Sequence, residues 1–317
     1  MLFLNRLFHQ FLLTAVCYLL NLNTGNAQSS PSLAERLGYP AGTKLLILHA
    51  DDLGMSHSEN QASFEALVTG AVNSASIMVP CPWLPEVAFF FRDFSTADLG
   101  LHLTLTSEWK NYKWGPAAPR GTVSSLVDSI GYFHESCATL AARARPEEVE
   151  LELRAQIEKA KAMGIEPTHL DSHMGCLFFT LPELFQIYLK LGREYRIPVM
   201  LGRDMLAQLP TAAGVTLTEK DVVVDRVLTA GPEDYKGGMS AYYERTLREL
   251  QPGVSVLLMH LAYEGPEMQG MTYDHPDWGA AWRQADFDFF AGATCKKILA
   301  EEGIQLITWR ELGKLMK

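Results

Sequence analysis

Two adjacent carboxylates, Asp51 and Asp52, stand at the end of an apolar run over residues 45–48 and are followed by Leu53 and Gly54. Neighbouring acids resist ionising together unless a cation or a proton gives them different roles. Two later segments supply the groups that would complete such a site: Gly100-Leu101-His102-Leu103-Thr104 and His169-Leu170-Asp171-Ser172-His173. One carboxylate and two imidazoles make an Asp-His-His donor set that holds a divalent cation and leaves positions open for water and substrate. A cation in that setting acidifies water and polarises a carbonyl oxygen, while the second carboxylate is free to take a proton. The pattern points to metal-assisted hydrolysis.

Within this reading one of Asp51 and Asp52 joins His102 and His173 as a metal ligand, and the other is the base. Each also has a plainer use. An Asp pair before a helix commonly caps it, and His102 alone reads equally well as a structural residue. His169, earlier in its strand, reads as a core residue or one lying behind the ligands. Asp171 would orient His173 or a neighbouring ligand, since metal-binding imidazoles usually donate their far N–H to an acceptor. His260 follows the apolar run 254–259 and is the candidate general acid, because amide hydrolysis must protonate a departing nitrogen. His49, His57, His134 and His275 have no comparable context and are left outside the ligand shell. Asp51 and Asp52 would point to opposite faces of an ideal strand, so a bend at Leu53-Gly54 is needed to bring both to one rim. Trp109, Tyr112, Trp114, Trp278 and Trp282 fall in or near expected long loops, where they would either stack on sugar rings or pack those loops. Arg283 and Asp286, one helical turn apart, are expected to pair on a surface.

Short apolar runs alternate with longer amphipathic stretches. Strands are expected at 44–49, 71–79, 98–106, 167–171, 198–201, 221–224, 254–259 and 304–307, and helices at 58–69, 83–91 and 146–163. The last helix has Pro146 near its start, Glu147 and Glu148 in its first turn, Lys159 and Lys161 in its last, and Gly164 to stop it. Such alternation implies a parallel α/β sheet, closed into a barrel or doubly wound, with its site at the carboxyl ends of the strands. Along residues 101–106 the three leucines share one face, expected against helices, and His102 shares the other with two threonines.

Residues 1–27 carry the lone cation Arg6, an apolar stretch over 11–20 and the small residues Gly25-Asn26-Ala27, the pattern of a secretory signal peptide. The apolar stretch is too short for a comfortable membrane span, and Val16 before Cys17 is a poor context for lipidation. Export to the periplasm or the extracellular space is expected, with residues 28–43 as a lead-in and 44–317 as one catalytic domain. The net charge of −10 becomes more negative once Arg6 is removed, which argues against nucleic acid or anionic membrane surfaces as partners. Cys81, Cys137, Cys176 and Cys295 are too widely spaced for a cysteine zinc knuckle. They are expected as buried or free thiols, because a chain of this size does not need staples.

The segments Ala50-Asp51-Asp52-Leu53-Gly54-Met55-Ser56, Gly70-Ala71-Val72-Asn73-Ser74-Ala75-Ser76-Ile77-Met78, Gly100 through Thr106 and Thr168 through His173 resemble, in order, the YdjC-like carbohydrate deacetylase family, which includes chito-oligosaccharide and hopanoid-lipid deacetylases. The resemblance runs from about residue 44 to about residue 312. It implies a deformed (β/α) barrel of the polysaccharide-deacetylase type, one divalent metal ion and removal of acetyl from an N-acetylated sugar or oligosaccharide. By motif it implies Asp51 as base, Asp52, His102 and His173 as metal ligands and His260 as acid. This chain departs from the family pattern at Gly175, where another histidine is frequent, and at Leu261, where Pro often follows the late histidine. The donor set suits Zn²⁺, and completion by water oxygens would admit Mg²⁺, Mn²⁺ or Co²⁺. A metal-dependent isomerase or lyase and a non-catalytic sugar-binding barrel are the competing readings, and self-association is left open.

Overall fold

The computed structural model describes residues 31–209 and 216–316, so the expected signal peptide lies outside the described residues. Among the described residues seven strands form one parallel sheet: β1 (Lys44–Leu53), β2 (Ser74–Ile77), β3 (Leu99–Leu103), β4 (Leu170–Ser172), β5 (Arg226–Thr229), β6 (Gly253–Met259) and β7 (Gln305–Leu306). Their order is β4-β3-β2-β1-β6-β5, with β7 paired to the lower part of β1. The sheet curls, and helices surround it. Beyond β4 the path continues through single parallel bridges, Leu170 to Val199 and Gly202 to Val224, and Asp225 N–H then bonds Val254 O at the β6 edge. The expected strands 198–201 and 221–224 are therefore these bridges, and the barrel is deformed where they replace full ladders.

Alternation along the strands divides the molecule into an inside and an outside. Leu46, Leu48 and Ala50 of β1 and Leu99, Leu101 and Leu103 of β3 are buried in the larger core, with the surrounding helices. Leu45 and Ile47 stand beside Val254 and Val256 in the β1–β6 register and belong to a second, interior core. Trp309, Ile307 and Leu312 join that core, as do Leu33 and Ala34 of the short helix Leu33–Arg36, so the lead-in helps to seal the floor. Above the floor the inward positions turn polar: His49, then Asp51 on β1, Ser74 and Ser76 on β2, His102 on β3, Asp171 on β4.

Helix Pro146–Ala162 has the expected Pro and charge placement at its ends. Val149, Leu153 and Ile157 face the core, and three buried polar residues beside them hold the long segment after β3. Gln156 pairs with both backbone groups of Thr104, Glu152 accepts from the N–H groups of Ala117 and Ala118, and Glu148 accepts from Ser125. Buried polar groups satisfied in this way rigidify the segment instead of destabilising the core. Among the described residues no helix is long and apolar enough to cross a membrane.

Cys137 and Cys176 form a disulfide, which corrects the expectation of thiols alone. It ties helix Cys137–Arg143 to the residue three positions after His173. The wide sequence spacing concealed it, because the long excursion after β3 returns beside β4. Cys81 and Cys295 are the buried thiols expected.

Candidate metal centre and active site

The β1–β2 register shifts between Ala50 and Leu53, and Asp52 takes a left-handed conformation, φ 70°, with Gly54 at φ 89°. Asp tolerates this region better than most residues. The bend thus begins at Asp52 itself, one residue earlier than expected, and it lets two neighbours share the interior. The next helix is capped by Ser56, whose hydroxyl accepts from Glu59 N–H, so capping is not the work of the Asp pair.

Asp52, His102 and His173 converge, all buried. Asp52 Oδ1 lies 3.3 Å from His102 Nε2 and 3.4 Å from His173 Nδ1, yet it has no hydrogen-bond partner. Each imidazole turns its far nitrogen to a carboxylate: His102 Nδ1 is 2.8 Å from Asp171 Oδ1, and His173 Nε2 is 3.0 Å from Glu108 Oε2. Side-by-side pairing of His102 and Asp171 in the β3–β4 register explains the first contact. A buried carboxylate oxygen left unpaired, facing two imidazole nitrogens fixed from behind, is the donor set of a cation site. The residues present fit a divalent cation. Asp171 therefore serves the neighbouring ligand His102, and Glu108, which no spacing flagged, serves His173.

The other Asp52 oxygen, Oδ2, accepts from Arg283 at 2.8 Å, and Arg283 also reaches Glu59 at 2.7 Å, donates to Trp278 O and lies over the Trp109 ring. Burial would raise the Asp52 pKa, but the Arg283 charge, with His173 and His260, outweighs it and holds the carboxyl well below its usual range. Burial pushes Glu59 well above its usual range, so the guanidinium is balanced chiefly by Asp52. Arg283 and Asp286 are both buried, which corrects the expected surface pair. Asp286 instead accepts from His260 N–H and Tyr243 O–H. Their spacing with Phe287 and Phe290 on the inward face of helix Ala280–Ala291 was the available signal: two charges inside an apolar stripe.

Asp51 Oδ1 accepts from Ser76 Oγ at 3.1 Å and lies 3.0 Å from His49 Nε2. His49, left outside the constellation by sequence, is thus in contact with it. His169 lies beneath the ligands, its ring 4.8 Å from that of His49: it stacks on Trp309 and is kept neutral by burial, with the neighbouring His49 charge adding to the effect. Gly100 makes room for that ring, because a Cβ there would meet His169 Nε2 at 2.3 Å. His260 Nε2 is 4.0 Å from Asp52 Oδ2, and its side chain is 17% exposed. Burial, opposed by Asp52 and aided by Arg283, lowers its pKa to about 4. Of the aromatic residues, Trp109, Trp114 and Trp282 are buried and pack the wall, with Trp114 6.1 Å from His173; Tyr112 and Trp278 keep partial exposure.

A model of YdjC-like proteins matches residues 45–301. The chain belongs to the YdjC-like family. It is 35% identical to a carbohydrate deacetylase of Thermus thermophilus over 288 residues, covering 90% of this chain and 99% of the relative. It is 26% identical to a chitooligosaccharide deacetylase of Serratia marcescens, covering 85% and 99%. A solved structure from Enterococcus faecalis V583, named for a proposed cleavage of cellobiose phosphate, superposes with a TM-score of 0.71 at 25% identity, covering 85% of this YdjC-like chain and 99% of that one. The expected family and barrel are both found.

Proposed function

We propose that this YdjC-like protein is an exported, divalent-cation-dependent deacetylase that hydrolyses the acetamido group of an N-acetylated amino sugar or short oligosaccharide. The observation that carries the reading is the unpaired, buried Asp52 Oδ1 facing His102 Nε2 and His173 Nδ1. Relatives named carbohydrate deacetylase and chitooligosaccharide deacetylase, aligned over nearly their whole length, support the reaction and the substrate class.

Asp52, His102 and His173 would hold the cation, with Zn²⁺ or Mg²⁺ as the candidates. When bound, such a cation supplies Lewis acidity toward water and the acetyl oxygen. Asp171 and Glu108 fix the two imidazoles, and Arg283 keeps Asp52 ionised. Asp51 takes a proton from the attacking water. His260, uncharged at neutral pH in the resting site, passes on to the departing nitrogen the proton that Asp51 took from the water, so the proton count closes. Export, with residues 1–27 as the leader and 44–317 as the catalytic domain, is supported by the leader pattern, and the Cys137–Cys176 bridge is of the kind that persists outside the cytosol.

Acetate release from N-acetylglucosamine oligomers, with and without a chelator, tests the reading. Loss with chelator and restoration by added metal are expected, and Asp51→Asn is expected to lower kcat by about 10²–10⁴-fold. Chelator-insensitive release, or full activity in Asp52→Ala, would remove the cation's role. Turnover of the sugar without acetate would favour an isomerase or lyase.

A further inference from the structure

One buried imidazole takes no part in the chemistry above. His49 stands beside Ser74 in the β1–β2 register, with Nδ1 3.0 Å from Ser74 Oγ. Its Nε2 lies 3.0 Å from Asp51 Oδ1, 3.0 Å from Asp171 Oδ2 and 3.2 Å from Ser76 Oγ. Nδ1 pairs with the Ser74 hydroxyl, and because a carboxylate oxygen only accepts, the hydrogen on Nε2 points between the two carboxylates. These carboxylates serve different parts of the site: Asp51 is the proposed base, and Asp171 holds His102 through its other oxygen. We propose that His49 is a positioning residue whose Nε2–H joins the base to the carboxylate behind the ligand His102, so that base placement and cation binding both depend on it.

Without that donor, two buried carboxylates lose a shared partner, leaving Asp51 to Ser76 and Asp171 to His102, and the repulsion between them favours moving Asp51 or Asp171. Either displacement reaches the site, since Asp171 fixes the ring plane of His102. The effect on turnover rests on the deacetylase reading. The effect on cation binding rests on the donor geometry alone.

The metal-free wild type, His49→Leu, His49→Gln, Asp171→Asn and the His49→Leu/Asp171→Asn double variant are titrated with Zn²⁺ by calorimetry, with Asp52→Ala as the control for binding at this site. The loaded proteins are then assayed for acetate release. His49→Leu is expected to lower zinc affinity and kcat each by about 10–100-fold, with KM little changed. His49→Gln, which places an amide N–H near the Nε2 position, is expected to recover most of both. Asp171→Asn severs the same link from its other end, so adding His49→Leu to it is expected to cost little more zinc affinity. Wild-type affinity and kcat in His49→Leu would overturn the proposal, as would equal losses in the Leu and Gln variants. If His49→Leu does not fold, His49→Gln near wild type beside an impaired Asp171→Asn supports the proposal, and both equally impaired overturns it. Zinc affinities ordered as expected, with no acetate from the wild type, would sink the deacetylase reading and leave the positioning role standing.

Discussion

Arg283 pairs with two buried acids, Asp52 and Glu59. Arg283→Met leaves a buried carboxylate uncompensated, and a loss of about 3–5 kcal/mol is expected, read from denaturant midpoints in metal-free protein. Asp171 makes a complementary prediction. Burial would raise its pKa, but His102 and His49 outweigh that and hold it below its unfolded value. A depressed folded pKa gives stability that is present above the unfolded pKa and lost as pH falls through the acid range. Asp171→Asn should therefore unfold with a shallower dependence on pH below about pH 4, near the unfolded Asp value, than the wild type does. Asp51, Asp52 and His260 were legible at this scale because each ends or follows a recognisable apolar run, and His102 and His173 because each lies in a short histidine-bearing segment that could join the Asp pair. Glu108, Arg283 and His49 were not. Glu108 lies in an irregular segment, Arg283 sits on a helix distant in sequence, and His49 belongs to the apolar run itself, where only the register with β2 and the contact across the curled sheet to Asp171 of β4 reveal what it faces.

At the scale of elements, the small residue at Gly100 is set by its neighbour's volume. Gly100→Ala drives a methyl into the His169 ring, which Trp309 backs from the other side, and a cost of about 1–3 kcal/mol is expected in thermal or denaturant unfolding. Opening the Cys137–Cys176 bridge in a Cys137→Ser/Cys176→Ser variant releases a segment spanning a separation of 39 residues. The chain-entropy model gives about 4 kcal/mol for a loop of that size. Strongly patterned elements were legible: β1, β6 and helix Pro146–Ala162 appear close to their expected bounds. Strand β5 was missed because Arg226–Thr229 is short, half exposed and without alternation. Residues 198–201 and 221–224 have strand-like composition but make single bridges, a difference set by how the barrel closes and invisible to local periodicity.

At the scale of the whole molecule, an exported enzyme is expected to begin at Gln28 after processing, which N-terminal sequencing of the secreted or periplasmic protein would check. The sealed floor bears on the order of events in turnover. Among the described residues, the buried Trp309, Leu33 and Ala34 pack the end opposite the polar layer, and exit past them would require that core to open. Under the proposed chemistry both fragments leave through the opening by which the substrate came in, and the sugar, lying outermost, departs first. Acetate is then the last ligand to go, and added acetate should inhibit competitively against substrate while the free amino sugar gives a mixed pattern. Initial-rate inhibition plots with each product in turn would reveal whether the vessel empties in that sequence.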